Sequence, residues 1–417
     1  KKFLDFYINL KFYFGFNFPR EMADIKNFEK WSKNRIFCGL LKISGEFLKY
    51  KNGKTEFKID SFKFNEISKK TKNDPESLKI LNDLRILKSL AEVHLNASPF
   101  SAVPSIYREA YAEICRELAH YYIFHQDYHE AIKEIDDGLM KGAQSEDKNL
   151  CKLANFVVEQ LGPCPEVRIL ETSYPVPSSL VLSKKILEIS RPSLEFFYKN
   201  CVENGTPIVI KDLVNNFPIF DFFDFENLNK TYGYRRAPIE FGSSYASEDY
   251  SQKIMTIHEY LKDYLGKENA PKAYLAQHAL LDQLNLVDSV VIPDYCSMLE
   301  DCSEDPLMNV FIGPCGTISP LHFDPKPNFF CQIRGRKFVR LVHPQFVPKV
   351  YMNPDPMHSN SSLADLENPD YEEFPLLKEV VTEDVVLEAG DCLFIPTKYL
   401  HLMRSLSPSI SISIWTG

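Results

Sequence analysis

From about Leu307 to Trp415 the apolar residues recur at every second position, in short runs broken by turn residues. In extended chain, successive side chains face opposite sides, so this period predicts strands with two distinct faces. Asn328–Ile333 reads as one strand, Arg334-Gly335 as a turn, and Lys337–Val342 as the returning strand. Val385–Leu387 and Cys392–Ile395 flank a turn at Ala389-Gly390-Asp391, and Ser409–Trp415 alternates Ser with Ile before ending in Trp. Many short strands joined by turns predict a sandwich or barrel, of which the jelly roll is one form. Upstream, Arg191-Pro192-Ser193 precedes a short helix pattern, and Thr206-Pro207-Ile208-Val209-Ile210 reads as a buried strand.

The first part of the chain follows another period. From about Asn27 to Leu161 the pattern is helical, and Ser105–Gly142 is its clearest stretch. Apolar positions recur through Ile114, Leu118, Tyr121 and Tyr122, then through Ala131, Ile132, Ile135 and Leu139. Asp127 is placed to cap the second helix and Gly142 to stop it. The pair resembles one tetratricopeptide-like unit, without a second copy at a fixed period. Leu161–Ser179 carries Pro163, Pro165, Pro175 and Pro177 and reads as a linker. The expected organisation is a helical region over 22–161, a linker over 162–184 and a strand-rich domain over 185–417, an α+β chain. Met22-Ala23-Asp24 reads like a natural start, so residues 1–21 are expected to be an extension or an artefact.

Composition narrows the class. The 417 residues are 44% hydrophobic and 25% charged, enough for two or three domains with sizeable cores. A net charge of −9 argues against gripping nucleic-acid backbone and suits a basic peptide partner. The 10 cysteines contain no Cys-x-x-Cys pair, so neither a zinc ribbon nor a disulfide framework fits, and they are read as reduced thiols. No apolar run is long enough to span a bilayer, and no membrane partner is expected.

His322-Phe323-Asp324 carries the chemistry. On a strand, positions i and i+2 share a face, so an imidazole and a carboxylate stand side by side. They are two thirds of a 2-His-1-carboxylate triad that binds non-haem Fe(II). His125-Gln126-Asp127 has the same spacing but falls at a helix junction, where i and i+2 diverge; it reads as polar surface. After His322 come Pro325, a strand, a Gly turn and Lys337, placed to meet a carboxylate inside the barrel. Gly390-Asp391 opens another strand, and His401 follows where the chain re-enters the barrel mouth. Singly, Lys337 or His401 has a plainer reading. In this order, on these elements, they point to one metal site.

GTISPLHFDPKPNFF, GRKFVRLVHP, GDCLFIPTKYLH and the closing SISISIW resemble the JmjC oxygenases. PIEFG, YLAQHALLDQL and IPDYC narrow the resemblance to one branch; it is dense from Ser190 to Trp415 and thin before that. It implies a double-stranded β-helix (a cupin-like jelly roll) with flanking helices. It implies Fe(II) on His322, Asp324 and His401, with 2-oxoglutarate and dioxygen as co-substrates. Lys337, helped by Tyr274 and Ser319, would take the distal carboxylate of 2-oxoglutarate; Asn328 would bond near its chelating end, and Trp415 would wall the pocket. Glu240, Tyr245, Tyr250 and Gln277 would line the substrate cleft. The resemblance implies C3-hydroxylation of arginyl residues in protein substrates, with histone H3 methyl-lysine demethylation as the alternative, and a nuclear location with cytoplasm as the alternative. Phe311-Ile312 stands where Trp is expected before the Gly-Pro, and Tyr250 stands where Trp is expected in the cleft. Lys69-Lys70-Thr71-Lys72 is a poor nuclear signal. Two other classes stay open. One is a chromatin or assembly scaffold working through its helical half. The other is a cupin isomerase or small-molecule dioxygenase, which has no need of Lys337.

Overall fold

The computed structural model describes residues 50–51, 54–55, 74–99, 102–143, 149–180, 182–242, 249–299, 305–356 and 358–416. Residues 1–21, the Met22 start, the basic run Lys69–Lys72 and Tyr245 lie outside the described residues. The chain divides into two compact units, 1–103 and 104–417.

In the first unit, β1 (Tyr50–Lys51) pairs antiparallel with β2 (Lys54–Thr55), and helix α1 spans Pro75–Leu95. Asp74 Oδ1 accepts from the Ser77 amide at 3.3 Å, and Pro75 occupies the first helical position, where no amide is needed. The ladder corrects the expectation of helix throughout this region. Its sequence signal is Asn52-Gly53, a dipeptide favoured between hairpin strands.

The second unit begins with α2 (Ser105–Phe124), α3 (Tyr128–Lys141) and α4 (Asn149–Leu161). Asp127 does precede α3, but its side chain makes no capping bond. The three helices close on Gly138, where an added Cβ would lie 2.9 Å from Leu150 and 3.0 Å from Cys115. These helices share a unit with the strands. Among its described residues the expected linker has no regular structure before Ser183, yet it is tied down as a strap. Its amides at Cys164, Leu170 and Tyr174 donate to Lys230, Leu265 and Leu406, and its Ser178 carbonyl accepts from the buried Arg340.

Two sheets follow. One has the order β10 (Ile318–Phe323), β15 (Leu400–Ser405), β12 (Lys337–Val342), β13 (Thr382–Leu387), β3 (Ser183–Lys185). The other has the order β4 (Leu187–Ser190), β5 (Ile208–Lys211), β14 (Cys392–Ile395), β11 (Asn328–Arg334), β16 (Ser409–Trp415), β9 (Leu307–Gly313), β8 (Ala273–His278), β6 (Arg236–Phe241), β7 (Ser251–Thr256). The chain passes from β11 to β12 at Gly335, whose φ of 72° favours glycine; the two strands fall in different sheets and do not pair, which corrects the hairpin expected there to a crossover between sheets. The sheets face each other across Val209, Phe330, Val339, Leu341, Leu393 and Met403. Phe329, Cys331, Ile333, Ile410, Ile412 and Ile414 pack outward against the flanking helices. A third cluster, on the outer face of the smaller sheet, joins Leu321, Phe338 and Leu400 to residues of the 343–381 segment. This is the expected α+β jelly roll.

The alternation in β16 therefore runs opposite to a simple greasy interior. Its isoleucines face the helices, while Ser411 and Ser413 donate to Gln332 and Asn328. The barrel interior near the site is polar, and each buried hydroxyl there has a partner.

Candidate metal centre

His322 lies on β10 directly opposite His401 on β15, and Asp324 follows the end of β10. The His322 Nδ1–H donates to the Pro320 carbonyl at 2.8 Å, and the His401 Nδ1–H to the Tyr399 carbonyl at 3.1 Å. A carbonyl only accepts, so both rings carry their proton on Nδ1 and present a bare Nε2. Those Nε2 atoms stand 3.7 and 3.6 Å from the two oxygens of Asp324, and the ring centroids are 4.3 Å apart. Burial, then the neighbouring His401, hold the His322 imidazole below its ordinary value and so neutral, as a ligand must be. Asn328 Nδ2 donates to Asp324 Oδ2 at 3.0 Å, leaving Oδ1 to a ligand, and Ser413 donates to Asn328 in turn. Two neutral nitrogens and one carboxylate, with all three ligand atoms within 4.8 Å of one another, suit a divalent cation. No other such cluster occurs among the described residues. His125 and His129 instead pack on the rings of Tyr121 and Tyr234.

The triad opens into a cavity of about 280 Å³. Tyr274, Ser319, Asn328 and Trp415 line it, as do Glu240, Tyr250 and Gln277. Lys337 does not line the wall directly. It is 1% exposed, and its Nζ donates to the Tyr274 hydroxyl at 2.9 Å behind the rings of Phe311 and Phe330. No carboxylate pairs with it among the described residues, and burial lowers its pKa to about 7. Tyr274 also bonds Ser319, and burial pushes its phenol well above the usual range. A buried ammonium in need of an anion, beside two hydroxyls, fits one end of a dicarboxylate; Trp415 Nε1, buried without a partner, is a further orphaned donor in the wall. On β6, cross-strand from Tyr274, Glu240 accepts from the Tyr250 hydroxyl at 3.3 Å, and burial raises the Glu240 carboxyl despite that bond.

Sequence reasoning missed three features. Asn360 lines the cavity from the segment after β12. Lys272 lines it too, its Nζ donating to the Gly316 carbonyl at 2.9 Å. Asp136 on α3 accepts from Arg235, Gln283 and the Arg236 amide, which fastens the helices beside β6 and β8. The acid Asp136 stands on a helical face in the sequence; its partners, 99 to 147 positions away, do not show there.

A jelly roll holding two histidines and an aspartate at its mouth, with a buried lysine deeper in, defines a cupin-type metalloenzyme. Residues 193–415 match the family described as a cupin-like domain. Lysine-specific demethylase 8 of Danio rerio is 35% identical over 300 residues, covering 69% of this chain and 74% of that protein. Lysine-specific demethylase JMJ30 of Arabidopsis thaliana is 32% identical over 365 residues (79% and 84%), and Jumonji C domain-containing protein 5 of Drosophila melanogaster 32% over 337 residues (77% and 83%). The chain belongs to the JmjC family of cupin-like proteins. It is a 2-oxoglutarate-dependent oxygenase, and the family's metal is Fe(II).

Proposed function

We propose that this oxygenase hydroxylates arginyl residues of protein substrates at C3. The observation that carries the reading is Glu240. Its half-buried carboxylate shares a cavity with the triad, is met by the Tyr250 hydroxyl, and has no cationic partner among the described residues. A guanidinium fork supplies the missing charge and two donors. The overall charge of −9 favours a basic segment in the same way and gives nucleic acid no purchase. Among the described residues no helix is long and apolar enough to cross a membrane.

In this reading His322, Asp324 and His401 would hold the iron. Lys337, Tyr274 and Ser319 would take the distal carboxylate of 2-oxoglutarate; Asn328 orients Asp324, and Trp415 walls the pocket against water. When bound, iron and 2-oxoglutarate supply the oxygen chemistry: dioxygen is consumed, the oxoacid becomes succinate and carbon dioxide, and one oxygen atom enters a substrate C–H bond. The chain's own part is to orient the carbon to be attacked, with Glu240, Tyr250 and Gln277.

The names of the relatives favour a second reading, lysine demethylation, for which methyl-lysine of histone H3 is the substrate we propose as the alternative. The same cavity would then take a methyl-ammonium against Tyr250, Phe311 and Trp415. Turnover of a peptide library containing free arginine and methylated H3 lysine, read by mass spectrometry, separates the two. Gain of one oxygen on unmodified arginine, lost in Glu240→Gln, is the expected result. Loss of methyl groups alone would establish demethylation instead. A nuclear location, with cytoplasm as the alternative, is proposed with this substrate class, and imaging of the tagged protein tests it. Rescue of a null phenotype by His322→Ala would favour the scaffold class over any catalytic reading.

A further inference from the structure

The strand that carries His322 and ends just before Asp324 is the edge of its sheet. β15 covers one side of β10, and among the described residues no strand covers the other. An uncovered edge leaves amides and carbonyls unpaired and its end free to fray. Here part of the 343–381 segment lies along it. The Phe323 amide donates to the Asn360 carbonyl at 3.0 Å, and the Asn360 side-chain amide donates to the Phe323 carbonyl at 3.1 Å. Ser361 bridges His322, and the Ser362 amide donates to the Leu321 carbonyl at 2.8 Å.

Phe323 stands between the ligands, and both of its backbone polar groups end on the same residue. The Phe323 ring packs into the outer cluster with the 343–381 segment, so it is gripped from its side chain as well. The peptide planes on either side of Phe323 set the directions of His322 and Asp324. Their ligand atoms must meet one ion within a few tenths of an ångström. Past Phe323 the ladder to β15 ends, and the Lys398 amide, donating to the Asp324 carbonyl at 3.2 Å, holds that end from the other side.

We propose that Asn360 is a positioning residue for the metal centre, which fixes the spacing of His322 and Asp324 by clamping the backbone of Phe323. The segment between β12 and β13 thereby closes the open edge of the ligand strand. The inference rests on the metal assignment of the triad and is independent of the choice between arginine and methyl-lysine.

The test titrates the full-length protein with Co(II) alone, following the heat of binding and the visible absorption of the bound ion. Asn360→Ala and Asn360→Asp should each weaken Co(II) binding by about tenfold and alter the absorption band. Asp keeps the size but replaces the donating amide with an oxygen facing the Phe323 carbonyl, so it serves if the alanine variant does not fold. Ser359→Ala, which removes only a bond to the Pro356 carbonyl in the same turn, should bind as wild type does. Wild-type affinity and spectrum in both Asn360 variants would overturn the clamp and leave the metal assignment standing. A loss matched by Ser359→Ala would show general loosening and overturn it too. Failure of the wild type itself to bind Co(II) would sink the metal assignment.

Discussion

Replacing Lys337 by Met removes an ammonium that destabilises the empty protein and that the liganded protein needs. Burial lowers the Lys337 pKa from 10.5 to about 7, with no anion nearby to offset it. At about 1.4 kcal/mol for each tenfold change in proton affinity, that fall costs the apo protein up to about 5 kcal/mol below pH 7. The sign follows from proton counts. Between pH 7 and 10.5 the unfolded chain holds this proton and the native state does not, so apo stability rises with pH across that window. Lys337→Met should therefore stabilise the apo protein and raise its melting temperature, more at pH 6 than at pH 9. It should also weaken 2-oxoglutarate binding by about 2–5 kcal/mol, roughly thirtyfold to several-thousandfold in Kd. In the wild type, 2-oxoglutarate restores the charge. Its binding should take up a proton above pH 7, and its affinity should fall by about tenfold per pH unit there. Calorimetry of the Mn(II)-loaded protein in two buffers of different ionisation heat reads the proton directly. Binding without proton uptake, or a Lys337→Met protein that melts lower and still binds 2-oxoglutarate as wild type does, would refute the reasoning.

Other perturbations test the rest of the frame. Asp324→Ala removes the only carboxylate of the triad and should weaken Co(II) binding by more than about a hundredfold, beyond what outer partners cost, with circular dichroism unchanged. Asp136→Ala leaves the Arg235 guanidinium, 1% exposed, without its carboxylate; chemical denaturation should show a loss of about 3–5 kcal/mol. Gly335→Ala forces a side chain into φ of +72°, with its Cβ 2.0 Å from the Pro408 carbonyl oxygen; it should lower the melting temperature by roughly 5–10 °C.

The metal ligands were legible because their geometry is local. His322 and Asp324 are two positions apart on extended chain, and the strand period alone puts them on one face. The break between β11 and β12 is written in Arg334-Gly335, but that the two strands join different sheets instead of pairing was not legible; β14 and β16 begin and end where their alternation does. The division of the chain was less legible. The prolines of 162–184 speak of irregular backbone, which the strap has, but irregular backbone is not loose backbone once its amides are bonded to Lys230, Leu265 and Leu406.

By itself, then, the amino-acid order determined the strand period, the turns, the ligand types and their succession along the chain. Each of these depends on neighbours within a few residues. Tertiary structure alone decided that the isoleucines of β16 face outward and its serines inward, since period two fixes that faces alternate and not which one is covered. It alone placed Asp136 against Arg235, 99 positions on, and Asn360 against Phe323, 37 positions back. A polar group carries no mark of its partner until the fold removes water from both.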